Sequence, residues 1–222
     1  MSTAVIIVAA GRGHRMGGET PKQYLPLDAH SALHHSVRAF LDRPQISQIC
    51  PVIHPDDAGL YTKAMTGLTD PRILAPAAGG DTRAASVLAG LNALRAHAPD
   101  HVLIHDAARP FVSPALIDAV CEGLQKVEGC CAALPVIDAL WSSNGDIAQS
   151  SIPRDGLWRA QTPQGFHFAK LYAAHLAHDG SGADDVAVAR EAGMRVRFVL
   201  GSDENYKITT PQDLARARAA LA

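Results

Sequence analysis

A turn of small residues, Ala9-Ala10-Gly11-Arg12-Gly13-His14-Arg15-Met16-Gly17-Gly18, follows directly on the strand-like run Ala4–Ala9. Glycines at such a turn let the backbone double back and bring its N–H groups close to phosphate oxygens. A P-loop would need G-x-x-x-x-G-K-[ST], and no lysine follows a glycine at that spacing here. The dinucleotide pattern G-x-G-x-x-G is met by Gly11 and Gly13, but Met16 holds the third position. Pro21 and Pro26 also break the helix that should continue from it. No acidic residue closes an evident second strand about 20 residues further on, as ribose recognition would require. A nucleoside triphosphate loop also gripped by side chains fits better, with Arg15 and Lys22 supplying the positive charge. By itself the glycine pattern fits a plain surface turn about as well.

The continuation makes the pattern specific. Ala9-Ala10-Gly11-x-Gly13-x-Arg15-Met16 followed by Pro21-Lys22-Gln23-Tyr24 resembles the nucleotidyltransferase superfamily, and within it the 2-C-methyl-D-erythritol 4-phosphate cytidylyltransferase family. Further matches run in order: Gly79-Gly80-Asp81 with Arg83 and Ser86-Val87-Leu88-Ala89-Gly90-Leu91, then His105-Asp106-Ala107-Ala108-Arg109-Pro110, Arg154, Thr162-Pro163-Gln164 and Asn205-Tyr206-Lys207-Ile208-Thr209. They cover the chain from end to end.

The resemblance implies CMP transfer from CTP to 2-C-methyl-D-erythritol 4-phosphate, with release of pyrophosphate, in non-mevalonate isoprenoid synthesis. The nucleophile, a phosphate monoester with a second pKa near 6, is already ionised, so no general base is required. The difficulty is joining two polyanions, which calls for fixed cations, backbone donors and a divalent metal. By the same resemblance Arg15 and Lys22 grip the triphosphate and stabilise the transition state, and Lys207 stands near the α-phosphate. Ala9, Ala10, Gly11, Gly13 and Ala107 belong to the nucleotide-binding motifs, and Gly80, Asp81 and Ser86 to the cytosine and ribose contacts. Asp106 is expected to help hold Mg²⁺; a helix cap or an ion pair with Arg109 is its structural alternative. For Asp81 the alternative is an N-cap on a helix beginning at Thr82.

Arg154 matches an arginine that binds the acceptor phosphate from a hairpin arm across a homodimer interface, with Arg109 and Thr162 as remaining acceptor contacts. Two positions depart from the family. Ala139 and Ala183 stand where threonines of acceptor recognition are often found. Two missing hydroxyls keep another polyol phosphate, such as ribitol 5-phosphate, in view as acceptor, with a catalytically silent nucleotide-binding module as a further alternative. Asp184 and Asp185 compensate, or simply start a helix.

Strand-sized runs must carry these residues. Strands are expected at Ala4–Ala9, Ile49–His54, Val102–His105, Ala132–Val136 and Val196–Leu200, with a short one near Ile73. Between them Val87, Leu88, Leu91 and Leu94 share one face of a helix over Ala84–His97. Ser113-Pro114 and Thr210-Pro211 mark helix starts, Asp213 completes a capping box, and Gly193 ends a helix over Asp184–Ala192. The alternation predicts an α/β fold, a doubly wound, mostly parallel sheet, which the resemblance makes a Rossmann-like nucleotidyltransferase. A single cytidylyltransferase domain over 1–222 is expected. The turn-rich stretch Asp138–Arg159 interrupts the alternation, and Asn144-Gly145 predicts a protruding β-hairpin arm at about 138–159. A hairpin needs something to pack against, and a second subunit is one candidate.

Composition narrows the class. Hydrophobic residues make up 47% of the 222 and charged ones 19%, against a disordered chain. A net charge of −2 and a pI near 6.6 point to no nucleic acid and no membrane as partner. Met1-Ser2-Thr3 carries no basic region before the first strand, so no signal peptide is expected. Cys50, Cys121, Cys130 and Cys131 form no C-x-x-C pair and read as reduced, packed thiols, which predicts a cytoplasmic protein. The eleven histidines lack metal-site spacing and read as packed or solvated.

Overall fold

The structure is a computed structural model that describes residues 1–12 and 20–222. Among the described residues nine strands form: β1 (Thr3–Ala9), β2 (Ile46–Ile53), β3 (Ala77–Ala78), β4 (His101–Asp106), β5 (Gly129–Pro135), β6 (Leu140–Asn144), β7 (Ile147–Ile152), β8 (Trp158–His167) and β9 (Val196–Leu200). The same residues hold seven α-helices: α1 (Ala32–Leu41), α2 (Ala58–Ala64), α3 (Arg83–Leu94), α4 (Pro114–Gly123), α5 (Phe168–Ala177), α6 (Asp185–Glu191) and α7 (Pro211–Leu221).

Seven strands make one sheet in the order β3-β2-β1-β4-β8-β5-β9, parallel except for β8, which runs against both its neighbours. Alternate residues of the nearly all-apolar β1 bury into two layers. Val5 and Ile7 meet Leu33, Val37 and Phe40 of α1 and Ile117 of α4. Ala4 and Ile6 meet Val87, Leu91 and Leu94 of α3 and Leu171 of α5. Each such valine, leucine, isoleucine or phenylalanine contributes about 1.5–3 kcal/mol on burial. In the order 3-2-1-4 the chain leaves β1 toward opposite sides of the sheet, which opens a crevice at the carboxyl ends of β1 and β4.

Several expected boundaries move. Ile73 forms an isolated bridge to Ile49, and the short edge strand lies at Ala77–Ala78 instead. β4 extends one residue at each end, so Asp106 ends the strand. The α3 helix starts at Arg83 with Thr82 as N-cap, its hydroxyl accepting from Ala85 N–H, which corrects the alternative of Asp81 as the cap. Ser113 caps α4, and Thr210 and Asp213 form the expected capping box on α7.

The strand missing from the sequence reading is β8. Pro163 and Gly165 disguise it. The pairing steps from Cys131↔Gln164 to Ala133↔Ala160, so residues 161–163 bulge out, the place where a sheet tolerates proline. At Gly165 a Cβ would sit 2.8 Å from Val120 and 2.9 Å from Leu103, so the central strand needs glycine there to pass under α4.

β6 and β7 form a separate two-stranded sheet, the hairpin arm. Gly145 and Asp146 make its loop; only Gly145 has a positive φ, +61°, as a type II′ turn requires.

Candidate active site

A cleft of about 600 Å³ opens at the carboxyl ends of β1 and β4. It brings together Ala9, Ala10, Gly11, Lys22, Gly80, Asp81, Ser86, Asp106 and Lys207 from four distant stretches. Arg15 and Gly13 lie outside the described residues. Ala107 is buried just beneath the cleft, its N–H bonded to the Val8 carbonyl.

Each wall has a local cause. Gln23, 3% exposed, donates Nε2–H to the carbonyls of Ala9 (2.6 Å) and Gly11 (3.0 Å), tying the PKQY block to the glycine turn and setting Lys22 at its rim. Gly80 is pinned by Ser86, whose Oγ accepts from its N–H (3.2 Å) and faces its carbonyl (3.3 Å). Next to it, Gly79 N–H donates to Ile53 O at 2.7 Å. A Cβ on Gly79 would collide with Ala10 and approach Ser86 Oγ to 2.9 Å, so the two sides of the cleft meet at this glycine. Ile208 N–H donates to Ala108 O (2.8 Å), and that pairing lays Lys207 beside Asp106.

Asp106 is the electrostatic centre. Oδ2 lies 2.8 Å from Lys207 Nζ and 3.7 Å from Arg109 Nε, and Oδ1 lies 3.8 Å from Arg83 Nε. Burial alone would raise its carboxyl, but Lys207, Arg83 and Arg109 hold it well below the usual carboxylate range. The ion pair with Arg109 offered as a structural alternative is therefore present, within a larger cluster.

Arg109 and Thr162 do not line the cleft. Arg109 Nη1 donates to the carbonyl of buried Asn205 (2.7 Å) and braces the segment that carries Lys207. Thr162 Oγ1 accepts from Asp106 N–H at 3.1 Å and meets His105 Nδ1 at 3.1 Å. His105 Nε2 faces the Arg109 carbonyl at 3.0 Å; a carbonyl only accepts, so Nε2 carries the proton and Nδ1 accepts from Thr162. Arg154 lies on the exposed segment after β7, where it donates to the Ile137 carbonyl, away from this cleft.

Arg12, Arg83 and His54 also line the cleft without having been given a role from the sequence. Arg12 donates to Asp57 (2.7 Å), Asp56 (3.2 Å) and His54 Nδ1 (2.6 Å). The available signals were the Gly-Gly-Asp-x-Arg block for Arg83 and the end of a strand for His54. Asp184 and Asp185 divide their work: Asp184 caps α6 and Asp185 turns inward to Arg83. Among the described residues no three histidine, cysteine or carboxylate side chains gather closely enough to hold a metal.

Cationic side chains and glycines gathered at the switch point of a doubly wound sheet are the setting of a nucleotide site, the arrangement of the nucleotidyltransferase class. The family model of 2-C-methyl-D-erythritol 4-phosphate cytidylyltransferase matches residues 3–222, and the chain belongs to that family. It is 46% identical over 222 residues to the 2-C-methyl-D-erythritol 4-phosphate cytidylyltransferase of Cereibacter sphaeroides strain KD131, covering all of this chain and 98% of the relative. It is 48% identical over 220 residues to the bifunctional enzyme IspD/IspF of Dinoroseobacter shibae, covering 99% of this chain and 54% of that protein. The crystal structure of the Thermus thermophilus cytidylyltransferase superposes with a TM-score of 0.79 at 30% identity, over 100% of this chain and 99% of that one. The mixed α/β sheet flanked by helices is the fold of these structures.

Proposed function

We propose that this protein transfers CMP from CTP to 2-C-methyl-D-erythritol 4-phosphate, releasing pyrophosphate and giving 4-diphosphocytidyl-2-C-methyl-D-erythritol. The observation that carries the reading is the convergence of Lys22, Lys207, Asp106, Gly80, Asp81 and Ser86 on one cleft in a chain of this family. The acceptor phosphate needs no base, so the residues bind, orient and neutralise. Lys22 and Arg15 grip the triphosphate, Lys207 faces the α-phosphate, Gly80 and Asp81 read the base edge, and Ser86 holds Gly80 for that contact. Arg109 and Thr162 hold the Lys207 segment and Asp106 in place, and their direct contact with the acceptor rests on the family resemblance.

The donor set suits a Mg²⁺ that arrives on the nucleotide. Asp106 is one ionised carboxylate at the point where phosphates would enter, and Mg²⁺ takes one or two carboxylates with phosphate oxygens and water. When bound it would neutralise charge on the phosphates.

The arm supports a homodimer. Among the described residues its two strands pair only with each other, and Trp141 and Ile147 on it, with Ile137 at its base, are 58%, 62% and 67% exposed, surface that a second copy would cover. Arg154, remote from its own cleft, then serves the partner's. No nucleic acid and no membrane are needed as partners, and no helix among the described residues is long and apolar enough to cross a membrane. Four free cysteines support a cytoplasmic setting.

Pyrophosphate release from CTP, Mg²⁺ and 2-C-methyl-D-erythritol 4-phosphate tests the reading, and no release refutes it. A panel that includes ribitol 5-phosphate decides the acceptor, because Ala139 and Ala183 offer no hydroxyl; a higher kcat/KM for ribitol 5-phosphate would replace the methylerythritol assignment. A silent nucleotide-binding module would bind CTP and turn over neither acceptor.

A further inference from the structure

Arg83 is the first residue of α3 and lines the cleft, yet its far end is held from behind. Nη1 donates to Asp185 Oδ2 at 2.6 Å, while Nε stands 3.8 Å from Asp106 Oδ1. One planar group thus meets two carboxylates, one from β4 and one from α6. Asp185 is fully buried, and its other oxygen accepts from His175 Nε2 of α5 at 3.0 Å. A carboxylate only accepts, so His175 Nε2 carries a proton; His175 itself is 4% exposed.

Stability alone does not account for this arrangement. An ion pair taken out of water recovers little more than its desolvation cost, and an apolar trio of similar volume would pack as well between α3, α5 and α6. The surrounding core there is apolar: Val87, Leu91, Leu171 and Ala189. The pair is instead placed where its one reachable end opens on the cleft. Arg83 cannot swing into solvent without stranding the buried Asp185, so its edge is fixed before substrate arrives. Asp106 is then gripped on both sides, by Arg83 at Oδ1 and by Lys207 and Arg109 at Oδ2.

We infer that Asp185 and His175 are positioning residues for the transfer, acting through Arg83 to set the Asp106 carboxylate and with it Lys207. This rests on the cytidylyl-transfer reading above. It also explains why Asp184 alone caps α6 while its neighbour is buried.

The test is a double-mutant cycle on the full-length protein, read by kcat, KM for the acceptor, Kd for CTP by calorimetry, and thermal midpoint. Asp185→Asn should lower kcat about 10- to 100-fold while CTP Kd stays within about twofold. Arg83→Lys keeps the charge but cannot bridge both carboxylates and should lose a similar factor; with Asp185→Asn added, the loss should not deepen. His175→Gln keeps a donor for Asp185 and should stay within about threefold of the wild type, whereas His175→Phe should fall with Asp185→Asn. A merely structural role would lower the thermal midpoint and leave kcat unchanged at a temperature where the fold is intact. That result, or losses that simply multiply in the double variant, would overturn the inference. Should Asp185→Asn not fold, Arg83→Lys with wild-type kcat overturns it equally. Absence of turnover in the wild type would instead refute the transfer reading, and the positioning role with it.

Discussion

Lys207 Nζ rests 2.8 Å from Asp106 Oδ2, although the two residues come from a loop after the last strand and from the end of a central one. The pair joins the two chemical halves of the cleft: an anion that can share a metal and a cation that can meet a phosphate. Lys207 is 37% exposed at its side chain, so the contact is open to exchange when a polyanion enters. Lys207→Ala should lower kcat about 10²- to 10³-fold, the usual cost of one lost charge-stabilising contact in a transition state. Circular dichroism and thermal midpoint should stay near wild type; steady-state kinetics with turnover unchanged would remove Lys207 from the chemistry.

Lys22 sits at the rim of the glycine turn. Lys22→Ala should cost a comparable factor in turnover without unfolding the chain, because it removes positive charge from the triphosphate. Pyrophosphate release against CTP concentration measures it, and wild-type turnover would refute the role.

Gln23 acts through structure. Its two donated bonds satisfy the carbonyls of Ala9 and Gly11. Gln23→Ala should destabilise the fold by about 1–3 kcal/mol through the buried carbonyls left unpaired, and raise KM for CTP several-fold. Gln23→Glu should be worse on both counts, since carboxylate oxygens would face two carbonyls. Urea titration and kinetics read the two effects, and equal stability of both variants would argue against the strap.

Arg154 tests the dimer. Arg154→Ala should raise acceptor KM and leave CTP Kd nearly unchanged, and Arg154→Lys should recover only part, because lysine lacks the planar fork. Mixing Arg154→Ala with Lys22→Ala should restore activity, since a mixed dimer holds one site with both residues intact. Mixtures as inactive as their components would place Arg154 in its own subunit's chemistry.

His105 predicts a pH effect on stability. Burial pushes its imidazole down to about 4, against about 6.5 when exposed. Below pH 6.5 the unfolded chain binds the proton and the folded chain does not, so stability falls as pH drops and the loss is complete near pH 4. From pH 7 to pH 5 this amounts to about 2 kcal/mol. Urea unfolding at the two pH values measures it; His105→Asn should flatten the difference, and an equal slope in both proteins would assign it elsewhere.

Much of this was legible in one dimension. β1 is an unbroken apolar run, the caps of α4 and α7 are local chemistry, and motifs such as PKQY and HDAARP declare themselves by residue type at fixed spacing. Periodicity and capping depend on neighbours a few residues apart, so the chain itself settles them. What lay beyond reach depended on partners far away. β8 carries a proline and a glycine that deny a strand locally, and only pairing with β4 and β5, with a bulge at residues 161–163, makes it one. Asp184 and Asp185 look alike in sequence, and one became a cap and the other the buried partner of Arg83. No local pattern announces that Thr162 meets the Asp106 N–H or that Arg109 meets the Asn205 carbonyl beside Lys207. Residue types determined which charges were available; the packing of α3, α5 and α6 against the sheet decided which faced the cleft, because a charge is stable out of water only where a partner from another element meets it.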